Sequence, residues 1–147
     1  NIVNSLYLKP EQLEKNVFER YERYEKIKET ETDAEMYLTD DAEITLVAYG
    51  ATARVVKSAV NMAREQGIKT GLVRPKTLWP FPVKQIKEAA KSAEKFLVVE
   101  MSMGQMIDDV KLALNCQKPV EFMGRTGGMI MKPMEVLEEI KKIGGKK

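Results

Sequence analysis

The sequence predicts an α/β fold: a three-layer α/β/α sandwich with helices on both faces of a largely parallel sheet. Two observations carry this. Four runs read as strands, "ITLVAYG" (44–50), "IKTGLVRP" (68–75), "KFLVVE" (95–100) and "PVEFMG" (119–124), and the first is almost continuously apolar, as a strand covered on both faces should be. A single stretch of helical spacing separates each run from the next, long enough for a right-handed crossover.

The elements follow in order. Residues 10–29 read as a helix, with Pro10 suited to the first turn and Leu13, Val17, Tyr21 and Tyr24 repeating on one face. The acidic stretch "ETETDAE" (29–35) marks a boundary before a compact unit, and residues 36–38 are expected to form a short edge strand. After the first apolar run, residues 52–66 form a helix with Val55, Val56, Ala59, Met62 and Ala63 inward, and Gly67 stops it. Pro82 opens a helix that turns Val83, Ile86, Ala90 and Ala93 to one side. Met103, Met106, Ile107 and Val110 mark another, ending near Asn115. The last begins at Pro133 and buries Val136, Leu137, Ile140 and Ile143. Glutamates sit in its early turns, and Lys141 and Lys142 near its end suit the helix dipole.

Composition bounds the function. At 147 residues, with 44% hydrophobic and 31% charged residues, the chain fits one globular domain. A net charge of +2 gives no field that would draw nucleic acid or a membrane surface. The lone cysteine, Cys116, cannot pair within the chain, which fits a reducing cytoplasm. No apolar run approaches the ~20 residues of a membrane helix, and no signal peptide opens the chain. It starts with Asn1 in mid-phrase and reads as a piece of something longer. Without histidine, neither a Ser-His-Asp nor a Cys-His system can form inside it. One cysteine excludes a closed zinc site and a self-contained iron–sulfur cluster. Neither GxGxxG nor GxxxxGK[ST] occurs. The chain by itself is expected to be inactive.

Binding edges of parallel sheets lie beyond the carboxyl ends of the strands. Four segments should meet there: "YGATAR" (49–54), "RPKTLWPFP" (74–82), "EMSMGQM" (100–106) and "GRTGGM" (124–129). Arg74, Thr77, Glu100, Gln105 and Arg125 are the candidate contacts for a small anion or a neighbouring subunit, with helix N-termini behind Thr52 and Gly104 as possible anion seats. The plainer reading is that the glycines satisfy tight turns. The only tryptophan, Trp79, and Phe81 sit among Pro75, Pro80 and Pro82, either packed under their own loop or exposed as an aromatic anchor. Seven of nine methionines fall in the last third. Core filling is the expectation for them and an adaptable contact surface the alternative.

The stretches "NSLYLKPEQLE", "AYGATAR", "RPKTLWPFP", "VVEMSMGQMIDDV" and "GRTGG", in this order, resemble the alpha chain of 2-oxoacid:ferredoxin oxidoreductases. The branched-chain (2-oxoisovalerate) type is most similar, and the 2-oxoglutarate type comes next. The resemblance implies the C-terminal part of such a chain, a domain similar to the transketolase C-terminal domain. It further implies a five-stranded sheet with one antiparallel edge strand. Residues 1–33 would be a helical connection from an upstream domain, and 34–147 the α/β domain. Family members decarboxylate a 2-oxoacid oxidatively with coenzyme A and pass electrons to ferredoxin. Thiamine diphosphate, magnesium and iron–sulfur clusters carry that chemistry. Their GDG…N motif and cluster cysteines do not occur here, so the resemblance places these groups in other domains or subunits. The implied partners are a thiamine-binding beta chain, gamma and ferredoxin-like chains, and ferredoxin, in an oligomeric cytoplasmic enzyme. Coenzyme A is a further candidate ligand. This domain would then serve assembly and shape the substrate entrance. The rival readings are a stand-alone interaction module and a small-anion-binding domain on the same scaffold.

Overall fold

The computed structural model describes residues 4–145. In chain order its elements are α1 (Pro10–Thr30), β1 (Ala34–Tyr37), β2 (Ile44–Val47), α2 (Gly50–Glu65), β3 (Thr70–Pro75), α3 (Val83–Ala89), β4 (Lys95–Glu100), α4 (Met106–Ala113), β5 (Val120–Gly124) and α5 (Pro133–Ile143). The five strands form one sheet in the order β1-β3-β2-β4-β5. All neighbours are parallel except β1, which pairs antiparallel with β3 at one edge.

The side-chain period of two explains why the central strands are apolar throughout. Leu46, Leu72 and Leu97 pack on one face against Val56, Val60, Val136, Leu137 and Ile140 of α2 and α5. Their immediate neighbours Val47, Val73 and Val98 point to the other face, against Ile86, Met106 and Val110 of α3 and α4. Each face would expose a hydrophobic row without its helices, so the sandwich needs all three layers.

Several boundaries differ from the sequence expectation. The edge strand is Ala34–Tyr37, because Leu38 turns to a positive φ of 52° and leaves the ladder. Helix α2 starts at Gly50 and buries Thr52, Ala53 and Val60 beside the expected Val56, Ala59 and Ala63, while Val55 and Met62 are only partly covered. Helix α1 forms, but none of its 21 residues is buried.

One core position is suboptimal. Thr45 is fully buried on the face of Val47 and Phe96, and its hydroxyl has no hydrogen-bond partner. Thr45→Val keeps the shape and removes the unpaired group, so it should raise stability by about 1 kcal/mol. A denaturant midpoint that falls instead would mean the hydroxyl is satisfied in solution.

Candidate functional site

Strands β2 to β5 all end at the same edge of the sheet, and the loops after β3, β4 and β5 cover it. Arg74 is the last residue but one of β3, Glu100 ends β4, Arg125 follows β5, and Gln105 lies on the loop leading into α4. These residues therefore share one edge but do not touch as a cluster. Three strand spacings, about 14 Å, separate the β3 and β5 positions.

Three of the candidate residues, Arg74, Glu100 and Arg125, already have partners within the chain. Arg74 lies 3.3 Å from Glu35, its cross-strand partner on β1, and Lys57 of α2 approaches the same carboxylate at 2.7 Å. Arg125 is paired with Glu135 in the first turn of α5. Glu100 is 1% exposed. Its carboxylate accepts the backbone N–H groups of Gln105, Met106 and Ile107 at 3.1–3.2 Å and the Ser102 hydroxyl at 3.1 Å. The positive end of α4 is thus filled by the chain's own anion. This clamp also explains why α4 begins at Met106 rather than at Met103: residues 101–105 are held as a loop over the carboxylate.

The hydrogen bond from Lys57, with Arg74 beside it, holds the Glu35 carboxyl below its ordinary value of 4.5. A lowered folded value means the unfolded chain binds more protons in that window, so stability rises with pH there. The contribution is fully present above pH 4.5 and is lost as the pH falls through the lowered folded value. Glu35→Gln should therefore lower stability at neutral pH by less than about 1 kcal/mol, because the pair is partly exposed. That difference should shrink on acidification. An acid limb that is identical in the variant would remove Glu35 from the pH response.

The tryptophan loop is tied down by its backbone and not by its tryptophan. Lys76 and Thr77 donate their N–H groups to the Asp33 carbonyl, and the Thr77 hydroxyl donates to the Pro80 carbonyl at 2.9 Å. Phe81 packs half-buried against the α3–α4 face of the core. Trp79 precedes a cis proline bond and is 58% exposed. Its ring meets Tyr24 of α1 edge-on at 5.5 Å. Behind it runs a groove of about 640 Å³ lined by Lys28, Glu29, Thr32, Trp79, Phe81 and Lys84, among others. The sequence left Trp79 open between core and surface; it is not a core residue.

The methionines depart from the core-filling expectation. Met106 and Met131 are buried and Met123 packs partly buried against the core, whereas Met101 and Met103 after β4, Met129 after β5 and Met134 in α5 are exposed. Helical spacing suggested burial, but three of these four lie on loops and Met134 sits on the outer side of α5.

The model of the pyruvate:ferredoxin oxidoreductase core domain II matches residues 42–136. The chain belongs to this family. The match begins just before β2 and runs to the first turn of α5, so it takes in the whole parallel part of the sheet. The ketoisovalerate oxidoreductase subunit VorB of Methanothermobacter thermautotrophicus is 46% identical over 145 residues. That alignment covers 99% of this chain and 41% of the relative, so the chain spans well under half the length of that protein. Among solved structures, a 2-oxoglutarate:ferredoxin oxidoreductase from Magnetococcus marinus superposes with a TM-score of 0.75 at 19% identity, covering 92% of this chain and 24% of the other. A split-gene transketolase superposes at 0.63 and 19% identity, over 75% of this chain and 40% of that one. The chain therefore has a transketolase-like α/β fold, in which the matched region supplies the parallel strands and β1, before it, the antiparallel edge.

The chain has one cysteine, exposed, and no histidine. Among the described residues no group of three or more Cys, Asp or Glu is placed to hold a metal ion. Among those residues, no helix is long and apolar enough to cross a membrane.

Proposed function

We propose that this chain is the transketolase-C-terminal-like part of a 2-oxoacid:ferredoxin oxidoreductase subunit, acting on 2-oxoisovalerate. The observation that carries this reading is the 46% identity to the ketoisovalerate oxidoreductase subunit, sustained over 99% of the chain. The whole enzyme would decarboxylate the 2-oxoacid oxidatively, transfer the acyl group to coenzyme A and pass electrons to ferredoxin. Thiamine diphosphate, magnesium and the iron–sulfur clusters would sit in other domains or subunits. A thiamine-binding beta chain and gamma and ferredoxin-like chains would be the partners, in a cytoplasmic oligomer.

Within that enzyme we assign this domain to assembly and to one wall of the substrate entrance. Residues 1–33 would connect to a preceding domain. The unburied α1 and the sheet starting only at Ala34 support that division. The edge carrying Arg74, Thr77, Glu100, Gln105 and Arg125 would face its neighbours, with Trp79 and Phe81 as anchor. Because both arginines are paired internally, the edge suits a neighbouring subunit better than a free anion.

The test is to co-express the full-length protein with candidate partner subunits and follow coenzyme-A-dependent reduction of ferredoxin. The complex should oxidise 2-oxoisovalerate in preference to 2-oxoglutarate. The 147-residue chain alone, supplied with thiamine diphosphate and an acceptor dye, should show no turnover. Activity of the chain alone, or an assembled complex without 2-oxoacid-dependent reduction, would overturn the assignment.

A further inference from the structure

Met101 and Met103 on the β4–α4 loop are 45% and 82% exposed, and Met129 and Met134 around the start of α5 are more than half exposed. An apolar side chain on a free loop tends to fold back and hide its surface from water. This loop is not free. The Glu100 carboxylate clamps Ser102 and the N–H groups of residues 105–107, and Gly104 takes a φ of +102°. A Cβ at Gly124 would lie 2.5 Å from the Ser102 carbonyl oxygen, so β5 presses the loop from its other side. The backbone is locked in a path that holds Met103 out in water. Met106 and Met131, in the same two segments, are 3% and 2% exposed. One flank of the sheet edge thus holds thioethers of opposite accessibility.

We propose that Met101, Met103, Met129 and Met134 form a modification site for hydroperoxides, a reversible polarity switch on this flank. A thioether lone pair attacks the peroxide oxygen and the O–O bond breaks. One oxygen stays on sulfur as the sulfoxide, while the other takes up the proton and leaves as water, or as an alcohol from an organic hydroperoxide. Sulfur gives up two electrons and the peroxide gains them. Each event replaces an apolar surface group by a strong hydrogen-bond acceptor. Met106 and Met131, inside the core, are shielded. The site lies across β2 from the tryptophan loop, on the edge assigned above to neighbouring subunits, so its accessibility is tested on this chain by itself.

The test treats the 147-residue chain with hydrogen peroxide and follows each methionine by peptide mass spectrometry. The four exposed methionines should oxidise at least about tenfold faster than Met106 and Met131, since susceptibility follows exposure. The thermal midpoint should be retained while retention on a hydrophobic column shortens, and methionine sulfoxide reductases should restore it. A chain carrying Leu at all four positions should lose the retention shift. Equal rates at Met106 and Met131, collapse of the melting transition with the first oxygen added, or an undiminished shift in the leucine variant would each overturn the proposal.

Discussion

Glu100→Ala is expected to lower the stability of the fold by about 3 kcal/mol, the largest effect of any single change at the sheet edge. The carboxylate is buried and accepts hydrogen bonds from three backbone N–H groups and one hydroxyl. Bonds to a charged group contribute about 1.5–3 kcal/mol each, and the cost of burying the carboxylate offsets part of their sum. Removing it leaves the first turn of α4 with unpaired donors beside an apolar interior. Glu100→Gln should fall between the two, because its amide N–H₂ would face donors where an acceptor is needed. Denaturant midpoints of both variants check this. If alanine shifts stability by less than about 0.5 kcal/mol, water replaces the carboxylate and the clamp is dispensable. The variant also bears on function, since the same carboxylate sets the path of residues 101–105 along the edge.

Trp79→Ala is expected to weaken association with the partner domain or subunit by about 2 kcal/mol, roughly thirtyfold, while leaving the isolated fold nearly intact. The ring is more than half exposed, and its described aromatic contact is the edge-on one to Tyr24, worth about 0.5–1.5 kcal/mol. A core tryptophan would instead cost the fold about 3–5 kcal/mol. Two measurements separate these outcomes. The denaturant midpoint of the chain reports the fold, and co-purification of the full-length protein with its partners reports assembly. Trp79 is the only tryptophan of these 147 residues, so the fluorescence of this chain reports on the loop directly. Unchanged co-purification of the variant would remove Trp79 from the interface, whatever happens to the rest of the assignment.

Much of this architecture was legible from residue order alone. Continuous apolar runs required strands covered on both faces, and intervening helical stripes supplied the covering layers. Five motifs in sequence were enough to point to the family. The same reading placed Arg74, Glu100 and Arg125 at strand ends, because a parallel sheet sends all its carboxyl ends to one edge. What periodicity reports, however, is burial within an element. It is silent about loops, which have no period, and about contacts between segments far apart in sequence.

Those contacts decided the rest. That Arg74 meets Glu35 depends on β1 lying antiparallel beside β3, a pairing of residues 39 positions apart. That Glu100 is a buried cap and not an open carboxylate depends on its own loop folding back over it. Methionines that read as core filling stand in water because a clamped loop and the sheet's final strand hold them there. Trp79 rests on Tyr24, 55 positions earlier, at a contact that only the return of α1 toward the β3 loop creates. The fold followed from local pattern, because hydrophobic burial selects elements one at a time. The character of the edge followed from strand order, because charge pairing and exposure depend on which segments the sheet makes neighbours.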